Sequence, residues 1–208
     1  MTTVRDLHRS EHRPAAALLA RAFATDPLFL DLFGDVPDEP DARRRALRFT
    51  SWVLGANRLL GGRRRAVLDS ARIVGVAVVE PPQGATRRTV GAALAALRFA
   101  PVALALPTAA TARLNRYGRE TRALVPATPH HYLTMIGVDP AAQGAGLGRV
   151  LLDDVVELAE RDPRSAGVGL DTENPDNLGF YARHGFAPCG ELATAAFTAH
   201  VLFRPRGS

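Results

Sequence analysis

Residues 136–152 read Ile-Gly-Val-Asp-Pro-Ala-Ala-Gln-Gly-Ala-Gly-Leu-Gly-Arg-Val-Leu-Leu, and their order decides the fold class. An apolar strand, Leu133 to Val138, meets a turn at Asp139-Pro140, then a glycine loop, then an amphipathic helix. A loop carrying Gly144, Gly146 and Gly148 turns its main-chain N–H groups toward one point with no side chains in the way. The helix behind it adds unpaired N–H groups and the positive end of its dipole. The segment is built to hold an anion such as a pyrophosphate.

Spacing separates the kinds of phosphate loop. A P-loop needs Lys-Ser/Thr after its last glycine, whereas Arg149-Val150 follows Gly148 and the chain contains no lysine. The dinucleotide fingerprint would put its third glycine at 149, which is arginine, and Glu173 lies past the spacing of its ribose-binding acid. A third pattern, Gln/Arg-x-x-Gly-x-Gly/Ala, is met by Gln143, Gly146 and Gly148. It resembles the acyl-CoA loop of the GNAT N-acetyltransferase superfamily. About thirty residues on, Asn177, Tyr181 and Gly185-Phe186 form Asn-x-x-x-Tyr-x-x-x-Gly-Phe, similar to the second signature of that superfamily. The run from His131 through Phe186 looks most like the branch containing puromycin N-acetyltransferase; the first 130 residues match only by element order.

Composition bounds the alternatives. With 208 residues and 47% hydrophobic content, the chain fits one domain, 1–208, with a full core. No apolar run reaches the roughly 18–20 residues needed to span a bilayer; Val90 to Leu106 is broken by Arg98 and Pro101. The N-terminus lacks a signal-like apolar region, so the expected location is the cytoplasm, away from membranes. Cys189 is the single cysteine, which rules out a disulfide within the chain and reads as a strand-packing residue. All 26 basic residues are arginine and the net charge is +5. Lysine Schiff-base chemistry is therefore excluded. The clusters Arg43–Arg45 and Arg63–Arg65 have few interleaved aromatics and sit in no nucleic-acid motif, so solvated helix and hairpin faces explain them better than a nucleic-acid partner.

Periodicity places the elements. Strands are expected at 3–7, 66–68, 72–79, 131–138, 167–171, 186–190 and 195–204. Helices are expected at 11–24, 41–60, 88–99, 108–124, 146–161 and 177–184. This order predicts an α/β domain: the GNAT fold, a mixed, mostly antiparallel sheet with splayed central parallel strands, flanked by helices.

The resemblance implies direct transfer of acetyl from acetyl-CoA, as co-substrate and with no metal, to an amine. It implies that main-chain Ile136 and Val138 hold the pantetheine arm, with Gly137 giving room between them. The pyrophosphate would sit on N–H groups of Gln143, Gly144, Ala145, Gly146, Leu147, Gly148 and Arg149, with the Gln143 and Arg149 side chains reinforcing it. Asn174 or Asn177 would hydrogen-bond the arm from the facing strand end, though Asn177 also suits a helix N-cap. Tyr181 matches the family's acid for the departing thiolate. For the base, Asp171 matches a carboxylate position of the puromycin-type branch; His130, His131 and a water relay stay open, as does a plain turn-capping role for Asp171. The acceptor region offers Asp26, Phe29, Asp31, Phe33, Asp35 and Trp52, which suits a cationic, partly apolar small amine. Ordinary loop aspartates and core phenylalanines explain the same residues. A peptide N-terminus as acceptor, a non-catalytic acyl-CoA-binding module and a homodimer also stay open.

Overall fold

The computed structural model describes residues 3–82 and 108–208; the helix expected at 88–99 lies outside them. The chain begins with β1 (Thr3–Asp6), α1 (His12–Ala22), α2 (Pro27–Phe33) and α3 (Pro40–Leu59), followed by the hairpin β2 (Arg63–Asp69) and β3 (Arg72–Glu80). Next come α4 (Thr108–Leu124), β4 (His131–Val138), α5 (Leu147–Arg161), β5 (Gly167–Thr172), α6 (Leu178–Ala182), β6 (Ala187–Ala193) and β7 (Thr198–Pro205). The seven strands form one sheet in the order β1-β2-β3-β4-β5-β7-β6. Every neighbouring pair is antiparallel except β4 and β5.

A cluster of buried side chains lies on each face of the sheet. One joins Val76, Val78 and Met135 to Leu18 and Leu19 of α1, Phe29 and Phe33 of α2, and Leu54 of α3. The other joins Ala77, Val79, Leu133 and Leu170 to Leu151, Leu152 and Val155 of α5 and Tyr181 of α6. Alternation along the strands sends successive residues to opposite faces, so Val78 and Val79 serve different clusters. The stripe Leu147, Leu151, Leu152, Val155 and Ala159 gives α5 its buried face.

Three expectations need correction. The helix expected at 177–184 is five residues long, because Asn174 caps a single turn at Pro175–Asn177 ahead of it and Gly185 ends the segment at φ 81°. Cys189 is exposed on the edge strand β6 and is not part of the buried core. Gly137 makes room for α1: a Cβ there would stand 2.9 Å from Ala22 Cβ and 3.1 Å from Leu19 Cδ2. Several arginines of the two clusters are held within the chain. Arg45 donates to Phe33 O at 2.6 Å, Arg63 pairs with Asp6, and Arg65 forks onto Asp154 at 2.7 Å through two nitrogens.

Candidate active site

The site begins where two strands part. β4 pairs with β5 only through His131, Tyr132 and Leu133. Past Leu133 the pairing stops, while β3 stays paired with the other edge of β4 out to Val138. The main chain of residues 134–138 therefore faces the gap on its β5 side. Thr134 is bulged out of the β3 register, between the pairs Val78–Met135 and Val79–Leu133, and a bulge bends its strand.

At the end of β4, Asp139 fixes the direction of the glycine loop. Its amide donates to Val74 O at 2.8 Å, and its carboxylate accepts from Ala141 N at 3.2 Å and from Arg21 at 2.7 Å. The Arg21 bond holds the Asp139 carboxyl below the usual carboxylate range. Gly144 (φ 81°) and Gly146 (φ 75°) are left-handed, and a Cβ at either would meet nothing within 4 Å. Their conformation favours glycine, and the space above them is open. Gly146 is the N-cap of α5 and supplies no side-chain cap, so the first-turn N–H groups of Leu147, Gly148 and Arg149 are left to another acceptor.

A cavity of about 870 Å³ runs from this splayed edge into the layer of helices. In its lining three carboxylates from distant parts of the chain come within electrostatic reach of one another: Asp26, Asp171 and Glu173. Asp26 caps α2, accepting from Leu28 N at 2.9 Å and Phe29 N at 3.3 Å through one oxygen. Burial pushes its carboxyl up to about 6, against the pull of those two N–H bonds and with the Asp171 charge adding to the rise. Burial, then the charges of Asp171 and Asp26, hold Glu173 well above the ordinary glutamate range.

Two tyrosines tie the cluster together. Tyr132 donates to one oxygen of Asp171, and the Tyr117 hydroxyl lies in hydrogen-bond contact with both Asp171 and Glu173. A phenol has one proton, so it cannot donate to both carboxyl groups. A protonated Glu173 resolves this: Glu173 donates to Tyr117, and Tyr117 donates to Asp171. Beside the cluster, Arg122 pairs with Glu80 at 2.6 Å and lies 4.4 Å above the Tyr132 ring, while Thr134 donates to the same Glu80 at 3.1 Å.

Residues 106–186 match the model of the acetyltransferase (GNAT) family. Over the whole chain, the structure is similar to the histone acetyltransferase HPA2 and related acetyltransferase from Corynebacterium glutamicum ATCC 13032. The TM-score is 0.72 at 19% identity, covering 100% of this chain and 97% of that one. The chain has the GNAT fold. The ribosomal-protein-S18-alanine N-acetyltransferase from Escherichia coli is similar at TM-score 0.60 and 15% identity, covering 100% and 96% of the two chains. YncA from Salmonella typhimurium, solved with its cofactor acetyl-CoA, is similar at TM-score 0.55 and 16% identity, covering 98% and 93%.

Within this GNAT fold, one cavity collects Ile136, Val138, Gln143, Asp171, Asn174, Asn177 and Tyr181, as well as Asp26, Phe29 and Trp52, which the sequence offered as acceptor residues. Residues 144–149 continue from Gln143 as the loop and first turn of α5 and are not among its lining. Gln143 Nε2 donates back to Val138 O at 3.3 Å, and Arg149 stands 3.6 Å from Asp153 on the exposed face of α5. Asn177 Nδ2 donates to Thr172 Oγ1 at 3.3 Å and makes no side-chain cap. Tyr181 lies between Phe180 and Phe186 with ring centroids at 5.3 and 5.8 Å. Burial raises its phenol, and among the described residues its hydroxyl has no hydrogen-bond partner.

Other candidates are placed elsewhere. His131 is buried against Ser165, with Nδ1 2.9 Å from Oγ, and His130 packs edge-on to Phe203; neither lines the cavity. Asp31 pairs with Arg113 at 3.0 Å, Phe33 is core, and Asp35 accepts from Asp38 N at 3.3 Å, so the cavity excludes these three as well. Asp171 bonds to tyrosines, not to the turn that follows it. Sequence reading missed Glu173, Tyr117, Tyr132, Glu80 and Arg122. Glu173 stood two residues beyond Asp171, on an alternation that points both carboxylates the same way, and that spacing was the available signal. Among the described residues, no helix is long and apolar enough to cross a membrane, and no group of three or more His, Cys, Asp or Glu is arranged to hold a metal ion.

Proposed function

We propose that this chain is, as one domain, an acetyl-CoA-dependent N-acetyltransferase that moves an acetyl group directly to a primary amine of a small molecule. The observation that carries the reading is a cavity joining an unpaired strand edge, and Gln143 at the start of the glycine loop, to a buried carboxylate cluster. The chain's own residues fit coenzyme A. The main chain at Ile136 and Val138 offers amide partners to an extended arm, in the manner of strand addition. The N–H groups from Gln143 to Arg149 suit its diphosphate, and Asn174 and Asn177 border the arm from the opposite strand end. Acetyl-CoA, when bound, supplies an acetyl thioester: a C–N bond to the acceptor forms, the C–S bond breaks, and the coenzyme departs as thiol.

The protein's part is to place the acceptor and move two protons. Asp171, held by Tyr117 and Tyr132, accepts the proton that the attacking ammonium must lose, while Asp26 offers negative charge beside it. Tyr181 keeps its proton at neutral pH, and its hydroxyl has no competing partner among the described residues, which suits it to protonate the departing sulfur. An acidic pocket walled by Phe29 and Trp52 favours a cationic, partly apolar amine, in keeping with the motif likeness to the puromycin-type branch. Calorimetry with acetyl-CoA, followed by free-thiol release over a library of amines, tests the reading. No heat with the coenzyme or its acetyl ester overturns it, and binding without thiol release over the library favours a non-catalytic acyl-CoA module.

A further inference from the structure

A group of basic side chains gathers on the α1–α3 side of the sheet, outside the cavity. Side chains alternate along β2, so Arg65 reaches α5 while Arg64, opposite Val78, points to the side of α1 and α3. Arg64 is half-buried, and its Nε is buried without a hydrogen-bond partner among the described residues. Three further basic groups stand near it: Arg9 in the turn before α1, His12 at the start of α1 and Arg58 in the last turn of α3. Burial, then the Arg58 charge, lowers the Arg64 guanidinium; Asp6 opposes this and Arg9 adds to it. Burial, then the Arg64 charge, lowers the His12 imidazole, whose Nε2 lies 2.9 Å from Ser51 Oγ. None of these residues lines the cavity.

The nearby acids are already engaged. Asp6, the acid acting on Arg64, is held by Arg63 at 2.9 Å and by Arg65 at 3.0 Å. Glu11, next to His12, accepts two bonds from Arg5 at 2.8 and 2.7 Å. Residues 1–2 and 83–107, which lie outside the described ones, contain no Asp or Glu, so they hold no counter-charge either. A partly buried cation without an acceptor is costly to a fold, and an orphaned buried donor calls for a partner.

Helix α3 leaves room for that partner. Ser51, Gly55 and Arg58 recur at helical spacing on one face. A Cβ at Gly55 would meet nothing within 4 Å. Glycine is a poor residue for a helix interior, and here no neighbour demands its smallness.

We propose that Arg9, His12, Ser51, Arg58 and Arg64 form a binding site for a phosphate group, carried as inorganic phosphate or as a small phosphate monoester, in the space that Gly55 leaves open. A tetrahedral dianion accepts from several donors at once, which suits guanidinium groups converging from separate elements. The site stands or falls apart from the acetyltransferase reading, since its residues belong to another part of the molecule.

Calorimetry and thermal shift on the whole chain test it, with inorganic phosphate set against sodium chloride at equal ionic strength. Phosphate should bind and raise the melting temperature where chloride does not. In Arg64→Met and in Gly55→Leu, phosphate affinity should fall about tenfold or more, through lost charge in the first and filled space in the second. Should Arg64→Met fail to fold, Gly55→Leu and Arg58→Gln decide. Gly146→Val, in the glycine loop, should keep the phosphate response; its loss there would seat the ion on that loop and overturn the proposal. Glycerol 3-phosphate separates the two sources: tighter binding than inorganic phosphate assigns the site to a monoester, and the reverse order to the free ion. No response beyond that of chloride, or an undiminished one in Gly55→Leu, overturns the site and leaves the acetyltransferase reading intact.

Discussion

The two ends of the proposed site are built by different means. At the proposed coenzyme end the groups on offer are main-chain ones: an unpaired strand edge, two left-handed glycines and the first turn of a helix, all within residues 134–149. At the proposed acceptor end they are side chains from four separate elements: Asp26 ahead of α2, Tyr117 on α4, Tyr132 on β4, and Asp171 with Glu173 at the end of β5. Substitution should therefore act differently at the two ends. The main-chain end fails when backbone conformation is blocked, and the side-chain end fails when a single proton or charge is removed.

The largest expected effect is at the main-chain end. Replacing Gly146 with valine forces a β-branched residue to φ 75° and fills the open space above the loop. Coenzyme A binding should weaken by about 100-fold or more, since several N–H groups lose their aim together, while the chain stays folded because nothing lies within 4 Å of the added Cβ. Thermal shift with coenzyme A reads both. Stabilisation comparable to that of the unaltered protein would remove the loop from the binding site.

Next, at the side-chain end, Tyr181→Phe removes one hydroxyl and keeps the ring between Phe180 and Phe186. Turnover should fall by about 10²-fold, in the range general-acid groups supply, with the KM for acetyl-CoA changed only a few-fold. Steady-state kinetics at saturating amine separates the two constants. A kcat close to that of the unaltered protein would return Tyr181 to a packing role.

The same contrast explains what the sequence disclosed. The glycine loop, the helix after it and strand 131–138 are contiguous, so spacing alone placed them, and the splay followed from the family resemblance. The carboxylate cluster depends on packing between elements more than a hundred residues apart. Asp26 reads locally as a helix cap before Pro27, which it is; that it also feels the charge of Asp171 depends on packing that brings the two together. Gly137 shows the converse: its smallness was legible, but the partner it admits, α1, was not.

Asp26→Asn offers a smaller effect with a defined pH dependence. Asparagine caps a helix about as well as aspartate, so the bonds from Leu28 N and Phe29 N survive while the charge is lost. The folded carboxyl titrates at about 6, above its unfolded value near 3.8, so its contribution to stability is present below the unfolded value and lost as pH rises through 6. At pH 8 the variant should melt a few degrees above the unaltered protein, and near pH 4 the two should converge. A difference independent of pH would place Asp26 outside the coupled cluster.

The smallest expected effect, and the one that most sharpens the contrast, is at Arg149. Its side chain is 74% exposed in the first turn of α5, a turn with no acidic residue, where the helix dipole disfavours a positive charge; its partner Asp153 stands 3.6 Å away at i+4, the less favourable orientation. For stability alone the position is poorly filled, and for an arriving diphosphate it is well filled. Arg149→Ala should therefore move two quantities in opposite directions. The free protein should gain stability, by about 0.3–1 kcal/mol at low ionic strength, while coenzyme A should bind about three- to tenfold more weakly. In 1 M salt, where the screening length falls to about 3 Å, both differences should nearly vanish. Chemical denaturation and calorimetry at two salt concentrations measure them. If stability rises and affinity does not fall, Arg149 is a solvated surface charge, and the main chain alone holds the diphosphate.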